Sequence, residues 1–298
     1  MTENTQYLTE QLITYIGNKR SLLPFIKQGV EIVQKELNKE FLHCFDVFSG
    51  SGIVSRFLKS YASSITTNDL ETYAKIISSC YLSNKSSINF DELEKIHSEL
   101  VKSTTNEIST CELNNSCPGF VSELYAPKDE DNVQFGERCF YTPYNAKYID
   151  IIRQKITDEV PAELQKFFIA PLLSEVSVHA NTAGIFKGFY KNSRTGKGQF
   201  GGNGKNALER IKGKIELPLP IFSNFECPSY IFQEVPAQPV SMYRQYRTHC
   251  RSPGRSASRK VPRRSPHILS SSSRRILPLS APRVAVARLL SALITTAI

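Results

Sequence analysis

The chain has 298 residues, 40% of them hydrophobic, which is typical of a soluble protein with one large α/β domain or two smaller ones. No stretch reaches the roughly 18 apolar residues of a membrane span, and the amino terminus lacks the basic start and apolar run of a signal peptide. Seven cysteines, an odd number without a C-x-x-C pair, argue against a disulfide framework and a zinc site. We therefore expect a cytoplasmic protein that binds neither a membrane nor a metal.

Positive charge is concentrated at the carboxyl end. Residues 235–298 contain eleven Arg, one Lys and no Asp or Glu, which leaves 25 of the 37 basic residues against 28 acidic ones in the first 234 positions. Residue usage changes at the same point, because Lys outnumbers Arg by 19 to 6 before residue 235 and Asn is absent after it. This composition predicts a disordered, basic, low-complexity tail.

Residues 42–58, LHCFDVFSGSGIVSRFL, predict a strand, a glycine turn and a helix. Apolar residues form a short run in the first half and recur at helical spacing in the second. Gly50 and Gly52 lie between them, where glycine permits a positive φ and a close approach of the backbone to a ligand. Ser55 stands where a dinucleotide-binding fingerprint has its third glycine, which argues against a nicotinamide oxidoreductase.

A second β-prone run, residues 64–68, is followed by Asp69. In βαβ units a carboxylate at the end of the second strand accepts hydrogen bonds from ribose hydroxyls, and the separation of Asp69 from Gly52 fits that role. The alternative is that Asp69 caps a helix beginning near Glu71. Asp69 taken alone leaves both interpretations open.

Ahead of the first strand lies a Y-x-G-x-K segment with Tyr15 and Lys19. Together with Phe48-Ser49-Gly50-Ser51-Gly52 and Asp69, it resembles three motifs, in the same order, of the Dam-like adenine methyltransferases of bacteria. The resemblance implies an α/β, Rossmann-like methyltransferase fold that binds S-adenosylmethionine, with Tyr15 and Lys19 contacting the cofactor from the amino-terminal side. Without the neighbouring motifs, Tyr15 would be interpreted as a core aromatic and Lys19 as a solvated charge. The predicted cofactor-binding residues are Tyr15, Lys19, Asp46, Phe48, Gly50, Gly52 and Asp69.

The same resemblance implies a mostly helical inserted target recognition domain. Its clearest part, Val178 to Lys214, contains eight Lys or Arg and one Glu among glycines and aromatic residues, which suits contacts with DNA phosphates and grooves. The alternative is a solvated surface loop. The predicted DNA-binding residues are Lys187, Lys191, Arg194, Lys197 and Lys205. The predicted domains are 1–89 for the cofactor part, 90–214 for target recognition, 215–234 for the return to the methyltransferase domain and 235–298 for the tail.

The D-P-P-Y motif that orients the target amine in this family is absent. Tyr141-Thr142-Pro143-Tyr144 is similar to it but has Thr in place of the carboxylate or amide, so we interpret it as a turn that starts a helix near Lys147. Residues 222–234 look like the strand region that precedes the motif, yet the basic tail follows. We therefore predict no catalytic residue, and we expect that a reading-frame change near residue 235 has replaced the catalytic strand. A natural disordered tail is the alternative.

These observations favour a DNA adenine methyltransferase that flips its target base out of duplex DNA. The resemblance implies a monomer that is functionally paired with a restriction endonuclease. The alternative, of another class, is a non-catalytic nucleic-acid-binding protein with a relic cofactor site and a basic tail.

Overall fold

The structure, a computed structural model, describes residues 2–10, 12–13, 19–114, 119–182, 188–202 and 205–234, with the backbone alone at 112–114, 205 and 206. These residues form helices and three strands. The helices are α1 (Thr5–Thr9), α2 (Leu23–Leu37), α3 (Ile53–Leu58), α4 (Thr72–Tyr81), α5 (Phe90–Asn114), α6 (Phe120–Tyr125), α7 (Pro143–Glu159), α8 (Lys166–Val178) and α9 (Lys205–Lys212), and the strands are β1 (Leu42–Asp46), β2 (Ala62–Asn68) and β3 (Ser229–Phe232). The predicted tail, 235–298, lies outside the described residues.

The strands form one parallel sheet in the order β1-β2-β3. Between β2 and β3, Ile65 lies opposite Ser229 and Asn68 lies opposite Phe232. Parallel neighbours require crossover connections, and α3 provides the first of them, while the helices from α4 to α9 lie between β2 and β3. The predicted strand, turn and helix of residues 42–58 are therefore confirmed. The mixture of helices with a parallel sheet is consistent with the predicted methyltransferase fold.

The larger hydrophobic core lies among the helices. Helix α4 packs on α8, and α7 packs on both α5 and α6. Helix α8 is apolar on most sides, and nine of its thirteen residues are buried, which is the pattern of a helix at the centre of a core. This core contains residues of α4 and residues of the segment after residue 90. It therefore does not reveal the domain boundary predicted between residues 89 and 90, and the predicted domain limits stay a prediction.

Helix α7 begins in the segment that is similar to D-P-P-Y. Thr142 is its N-cap, and the Thr142 side chain accepts a hydrogen bond from the backbone N–H of Asn145 at 3.2 Å. Pro143 is the first helical residue, a position where its missing N–H costs nothing. The segment therefore starts a helix as predicted, although the helix begins four residues before Lys147.

A smaller core lies at the sheet, formed by Cys44, Ala62, Ile65, Leu82 and Cys227. The thiols of Cys44, Cys80, Cys139 and Cys227 are free and buried, whereas Cys111 is disulfide-bonded. Within the described ranges, no helix is both long and apolar enough to cross a bilayer. The same ranges contain no group of three or more His, Cys, Asp or Glu side chains that could hold a metal ion.

Candidate functional site

The chain passes from β1 to α3 through a turn that requires glycine. Gly50 has φ 51° and Gly52 has φ 74°, a left-handed conformation that costs other L-residues about 1–2 kcal/mol. The backbone N–H of Gly52 donates to the carbonyl of Ser49 at 2.8 Å, and the N–H of Ser49 donates to the carbonyl of Asn68 at 3.0 Å. The turn is thereby held at the carboxyl ends of β1 and β2, where open α/β sheets bind ligands.

Asp69 connects this turn to the end of β2. Its Oδ2 accepts a hydrogen bond from the backbone N–H of Gly50 at 2.7 Å, and its Oδ1 accepts one from the backbone N–H of Glu71 at 3.0 Å. Helix α4 has Glu71 as its N-cap, so Asp69 is not the N-cap that the alternative interpretation required. Each carboxylate oxygen has two lone pairs, and Asp69 can therefore accept further hydrogen bonds from the hydroxyl groups of a ligand.

Asp46, the last residue of β1, holds the start of α3. Its Oδ2 accepts a hydrogen bond from the Ser55 hydroxyl at 2.6 Å, and the carboxylate also accepts backbone bonds from Phe48 and Ser55. Burial raises the pKa of Asp46, the neighbouring Asp69 adds to the increase, and the hydrogen bonds oppose it. Ser55, which replaces the third glycine of a dinucleotide fingerprint, is fully buried and serves this contact.

Asn68 joins the ends of all three strands and is absent from the predicted site residues. Its Nδ2 donates to the carbonyls of Val47 at 3.3 Å and Glu234 at 3.1 Å, and its Oδ1 accepts from the Glu234 N–H at 3.0 Å. The side chain is buried. A polar amide at the end of the β-prone run 64–68, directly before Asp69, is the sequence signal that could have identified it.

The remaining predicted cofactor residues lie at or before this turn. Phe48 follows β1 by two residues, and 75% of its surface is exposed, so its ring is free to contact a ligand. Lys19 is exposed and is the N-cap of the 3-10 turn Arg20–Leu22. Tyr15 lies outside the described residues. The structure therefore brings together Asp46, Phe48, Gly50, Gly52 and Asp69. A role in cofactor binding stays a prediction for all seven residues.

Residues 190–199 form a second candidate site, which we name the basic hairpin. Lys191 and Gly198 form an antiparallel bridge, and the N–H of Gln199 donates to the carbonyl of Tyr190 at 3.0 Å. At the tip, the Asn192 side chain accepts hydrogen bonds from the backbone of residues 194 and 195 at 2.9 and 3.1 Å. Among the predicted DNA-binding residues, Lys191 and Arg194 are exposed on this hairpin and Lys197 is half-buried.

Asn181 anchors the basic hairpin to the helical core. Its Nδ2 donates to the carbonyls of Cys139 at 2.6 Å and Gln199 at 2.8 Å, and its Oδ1 accepts from the N–H of Gly201 at 3.0 Å. The Phe189 ring meets the Phe140 ring edge to face at 5.2 Å. Asn181 was not predicted, since nothing in its local sequence distinguishes it from the other asparagines of this segment.

An exposed aromatic residue lies beside the basic hairpin. Phe135 is 80% exposed, and its ring is so close to Gly196 that a Cβ added there would lie 3.8 Å from it. Glu137 fixes this loop by accepting hydrogen bonds from the backbone of Lys128 at 3.1 Å and Gln134 at 2.7 Å. An exposed aromatic ring beside a hairpin that carries Lys and Arg suits contact with nucleic-acid bases. Of the other predicted DNA-binding residues, Lys187 lies outside the described residues, and Lys205 is described by its backbone alone, at the start of α9.

Similarity to known proteins extends over more than half of this chain. The model of the D12 class N6 adenine-specific DNA methyltransferase family matches residues 15–211. The modification methylase StsI of Streptococcus sanguinis is 25% identical over 182 residues, which cover 59% of this chain and 26% of that protein. The type II methyltransferase M.CviAII of Paramecium bursaria Chlorella virus 1 is 29% identical over 185 residues (60% and 49%), and M.FokI of Planomicrobium okeanokoites is 30% identical over 184 residues (59% and 26%).

The chain spans between about a quarter and a half of the length of these relatives. No solved structure matches it. The family model covers well over half of the chain, including the glycine turn, Asp69 and the basic hairpin, so the resemblance inferred from three short motifs is confirmed. The chain therefore belongs to the D12 class N6 adenine-specific DNA methyltransferase family.

Proposed function

We propose that this protein is part of a site-specific DNA methyltransferase, in which it binds S-adenosylmethionine at the glycine turn and duplex DNA at the basic hairpin. The reaction is methyl transfer to the exocyclic amine of adenine, and its biological role is modification that protects DNA from a paired restriction endonuclease. The observation that carries the proposal is the hydrogen bond between Gly50 and Asp69, which fixes a glycine turn at the carboxyl ends of two parallel strands in a chain of this family.

The residues at the turn suit S-adenosylmethionine. Gly50 and Gly52 leave the backbone accessible, and Asp69 has lone pairs for the ribose hydroxyls of the cofactor. The exposed ring of Phe48 can contact the adenine ring of the cofactor. The carboxylates of Asp46 and Asp69 give this site negative charge, which favours a cationic sulfonium and disfavours the pyrophosphate of a dinucleotide. When bound, the cofactor supplies an electrophilic methyl group, and the residues named here hold and orient it.

The basic hairpin suits DNA because its charge is local. The first 234 residues carry more acidic than basic groups, whereas the exposed positions of the hairpin carry Lys191 and Arg194. Neutralising Lys191, Arg194 and Lys197 together should weaken binding to DNA of any sequence. It should also reduce the slope of log affinity against log salt concentration by up to about three. The matched control neutralises Lys27, Lys35 and Lys39, which are exposed and change the net charge equally. Equal slopes for both triple variants would move the DNA contact away from the hairpin.

A second function has one observation in its favour. No D-P-P-Y motif, and no Pro-Pro pair, occurs in the sequence, and the described residues therefore supply cofactor and DNA contacts without the group that orients the target amine. A non-catalytic DNA-binding protein that retains a cofactor site has the same features. Methyl transfer to duplex DNA by the purified chain distinguishes the two functions.

Isothermal titration tests the cofactor assignment. The parent should bind S-adenosylmethionine and not NAD. Asp69→Asn should weaken this binding about tenfold to a hundredfold, because the amide keeps the shape of the carboxylate but loses its charge-assisted hydrogen bonds. Asp91→Asn, at an exposed position in the first turn of α5, is the control for charge, and a denaturation midpoint verifies that each variant is folded. Equal affinities for all three proteins, or no binding by the folded parent, would refute the assignment.

A further inference from the structure

A buried arginine follows the glycine turn by one turn of helix α3. Arg56 is 1% exposed, and its backbone N–H donates to the carbonyl of Gly52 at 2.9 Å. Arginine is rarely buried this completely, because taking its charge out of water is costly. None of the contacts described so far for the cofactor or for DNA involves the side chain of Arg56, so its burial requires another explanation.

The side chain of Arg56 lies against two tyrosine rings. Its Cζ atom is 4.8 Å from the centre of the Tyr7 ring and 5.4 Å from the centre of the Tyr81 ring, distances at which a guanidinium is attracted to an aromatic face. The Tyr7 hydroxyl donates to the carbonyl of Tyr81 at 2.7 Å. Arg56 therefore joins α3 to α1, which carries Tyr7, and to α4, which ends at Tyr81.

The guanidinium of Arg56 also contacts the amino-terminal part of the chain. Its Nη1 donates to the carbonyl of Glu10 at 3.4 Å, and Nη2 of Arg20 donates to the same carbonyl at 2.8 Å. Arg20 directly follows Lys19, which is the N-cap of the 3-10 turn Arg20–Leu22. One carbonyl oxygen thus connects Arg56 with the residue next to Lys19.

These hydrogen bonds form a continuous path from the glycine turn to Lys19. The path runs from Gly52 to the backbone of Arg56, from the Arg56 side chain to Glu10, and from Glu10 to Arg20. The glycine turn and Lys19 are predicted to contact the cofactor from separate parts of the chain. Two such parts bind one ligand well only when other contacts hold them at a fixed separation, and this path provides those contacts.

Stability alone does not explain a guanidinium at this position. Within the part of the chain that the structure describes, Nε and Nη2 of Arg56 have no hydrogen-bond partner, and the bond from Nη1 is long. Burial lowers the pKa of Arg56, while Tyr7, Tyr81 and Glu10 oppose this change. An apolar side chain of similar volume often serves a core as well as a buried ion does. A buried group that departs from the rules of core packing is expected where function requires it.

We propose that Arg56 is a positioning residue for the cofactor, which acts through Glu10 and Arg20 to hold Lys19 at a fixed separation from the glycine turn. The proposal rests on the proposed function, because it assumes that S-adenosylmethionine binds at this turn. Loss of Arg56 should weaken cofactor binding and leave DNA binding unchanged, since Asn181 anchors the basic hairpin through separate hydrogen bonds.

Isothermal titration of the parent and three variants tests the proposal. Folded Arg56→Met should bind S-adenosylmethionine about tenfold more weakly than the parent, because the hydrogen bond to Glu10 is lost, and should bind DNA with unchanged affinity. Arg56→Lys keeps a cation that can donate to Glu10 and should recover part of the lost affinity. Arg138→Met is the matched control, because Arg138 also lies over a tyrosine ring, 5.5 Å from the centre of Tyr125, but is exposed. It should keep the affinity of the parent.

Limited trypsin digestion gives a readout that does not depend on the cofactor. Cleavage after Lys19 or Arg20 should be about fivefold faster in Arg56→Met than in the parent, because loss of the hydrogen bond raises the population of the open state that trypsin cleaves. Arg20→Met keeps the proposal testable if Arg56→Met does not fold. Arg20 is partly exposed, and its substitution removes the other donor to Glu10, so cofactor binding should again weaken about tenfold.

Several results would overturn the role of Arg56. Parent-like cofactor affinity of folded Arg56→Met or of Arg20→Met would do so, as would an Arg56→Lys variant no better than Arg56→Met. An equal loss of DNA affinity would show general structural damage instead of positioning, and unchanged cleavage after Lys19 would show that Arg56 does not hold this residue. The parent separates the two proposals. No cofactor binding by the folded parent refutes the proposed function, whereas binding by the parent and equal binding by the variants refutes the role of Arg56 alone.

Discussion

Replacing Gly52 by alanine tests the geometry of the glycine turn. Gly52 has φ 74°, where a Cβ costs about 1–2 kcal/mol. The added Cβ would lie 3.4 Å from Cγ2 of Ile77, an ordinary contact, so strain of the backbone dominates. Gly29 lies in α2, and no atom lies within 4 Å of a Cβ added there. Gly29→Ala should therefore raise the free energy of unfolding by about 0.5–1 kcal/mol. The two substitutions should therefore differ by about 1.5–3 kcal/mol.

Urea denaturation of the two alanine variants and the parent measures this difference. Equal slopes of the free energy of unfolding against urea concentration would show that the native and unfolded states are comparable. Gly52→Asn should be less destabilising than Gly52→Ala, since asparagine tolerates the left-handed region better. A Gly52→Ala variant as stable as Gly29→Ala would show that the turn does not hold this conformation, and the account of the ligand site would then fail.

Three further predictions concern the anchoring groups and the buried thiols. Asn181→Ala should loosen the basic hairpin and weaken DNA binding without a change of charge, so unchanged DNA affinity would contradict its anchoring role. Asn68→Ala removes three hydrogen bonds and should lower the free energy of unfolding by about 1–3 kcal/mol; an unchanged denaturation midpoint would refute it. Burial raises the pKa of Cys44 to about 11 and that of Cys139 to about 12, so the unfolded state releases these protons first and stability should fall as pH rises above about 9. Burial lowers the pKa of Lys59 to about 8, so the contribution of this one amine to stability rises with pH and partly offsets the loss from the two thiols. A melting temperature that does not fall between pH 8.5 and pH 10 would show that the thiols are not buried.

The elements around the cofactor site could be predicted because their signals are local. The strand, turn and helix of residues 42–58 follow from apolar spacing and two glycines within seventeen positions. The start of α7 was also present in the sequence, as Thr142 before Pro143 forms an N-cap followed by proline at the first helical position. The helix expected near Lys147 begins at Pro143, because the N-cap and the proline occupy positions 142 and 143.

The anchoring asparagines could not be predicted in the same way. Asn68 bonds to Glu234, which lies 166 positions away, and Asn181 bonds to Cys139, 42 positions away. Neither partner is near in sequence, so no spacing rule relates them. Whether the apolar residues of α2 are covered depends on what packs against that helix, and the exposure of Phe25 and Ile32 was visible only in the structure.

Photochemical cross-linking with methyl-labelled S-adenosylmethionine tests the central claim most directly, because it reports where the cofactor binds. Trypsin should release residues 40–56, which contain Asp46 and the glycine turn, and residues 60–75, which contain Asp69. We predict that the label is found in these two peptides and is displaced by unlabelled cofactor. Label confined to other peptides, such as those of the basic hairpin, or label that unlabelled cofactor does not displace, would contradict a cofactor site at the carboxyl ends of β1 and β2.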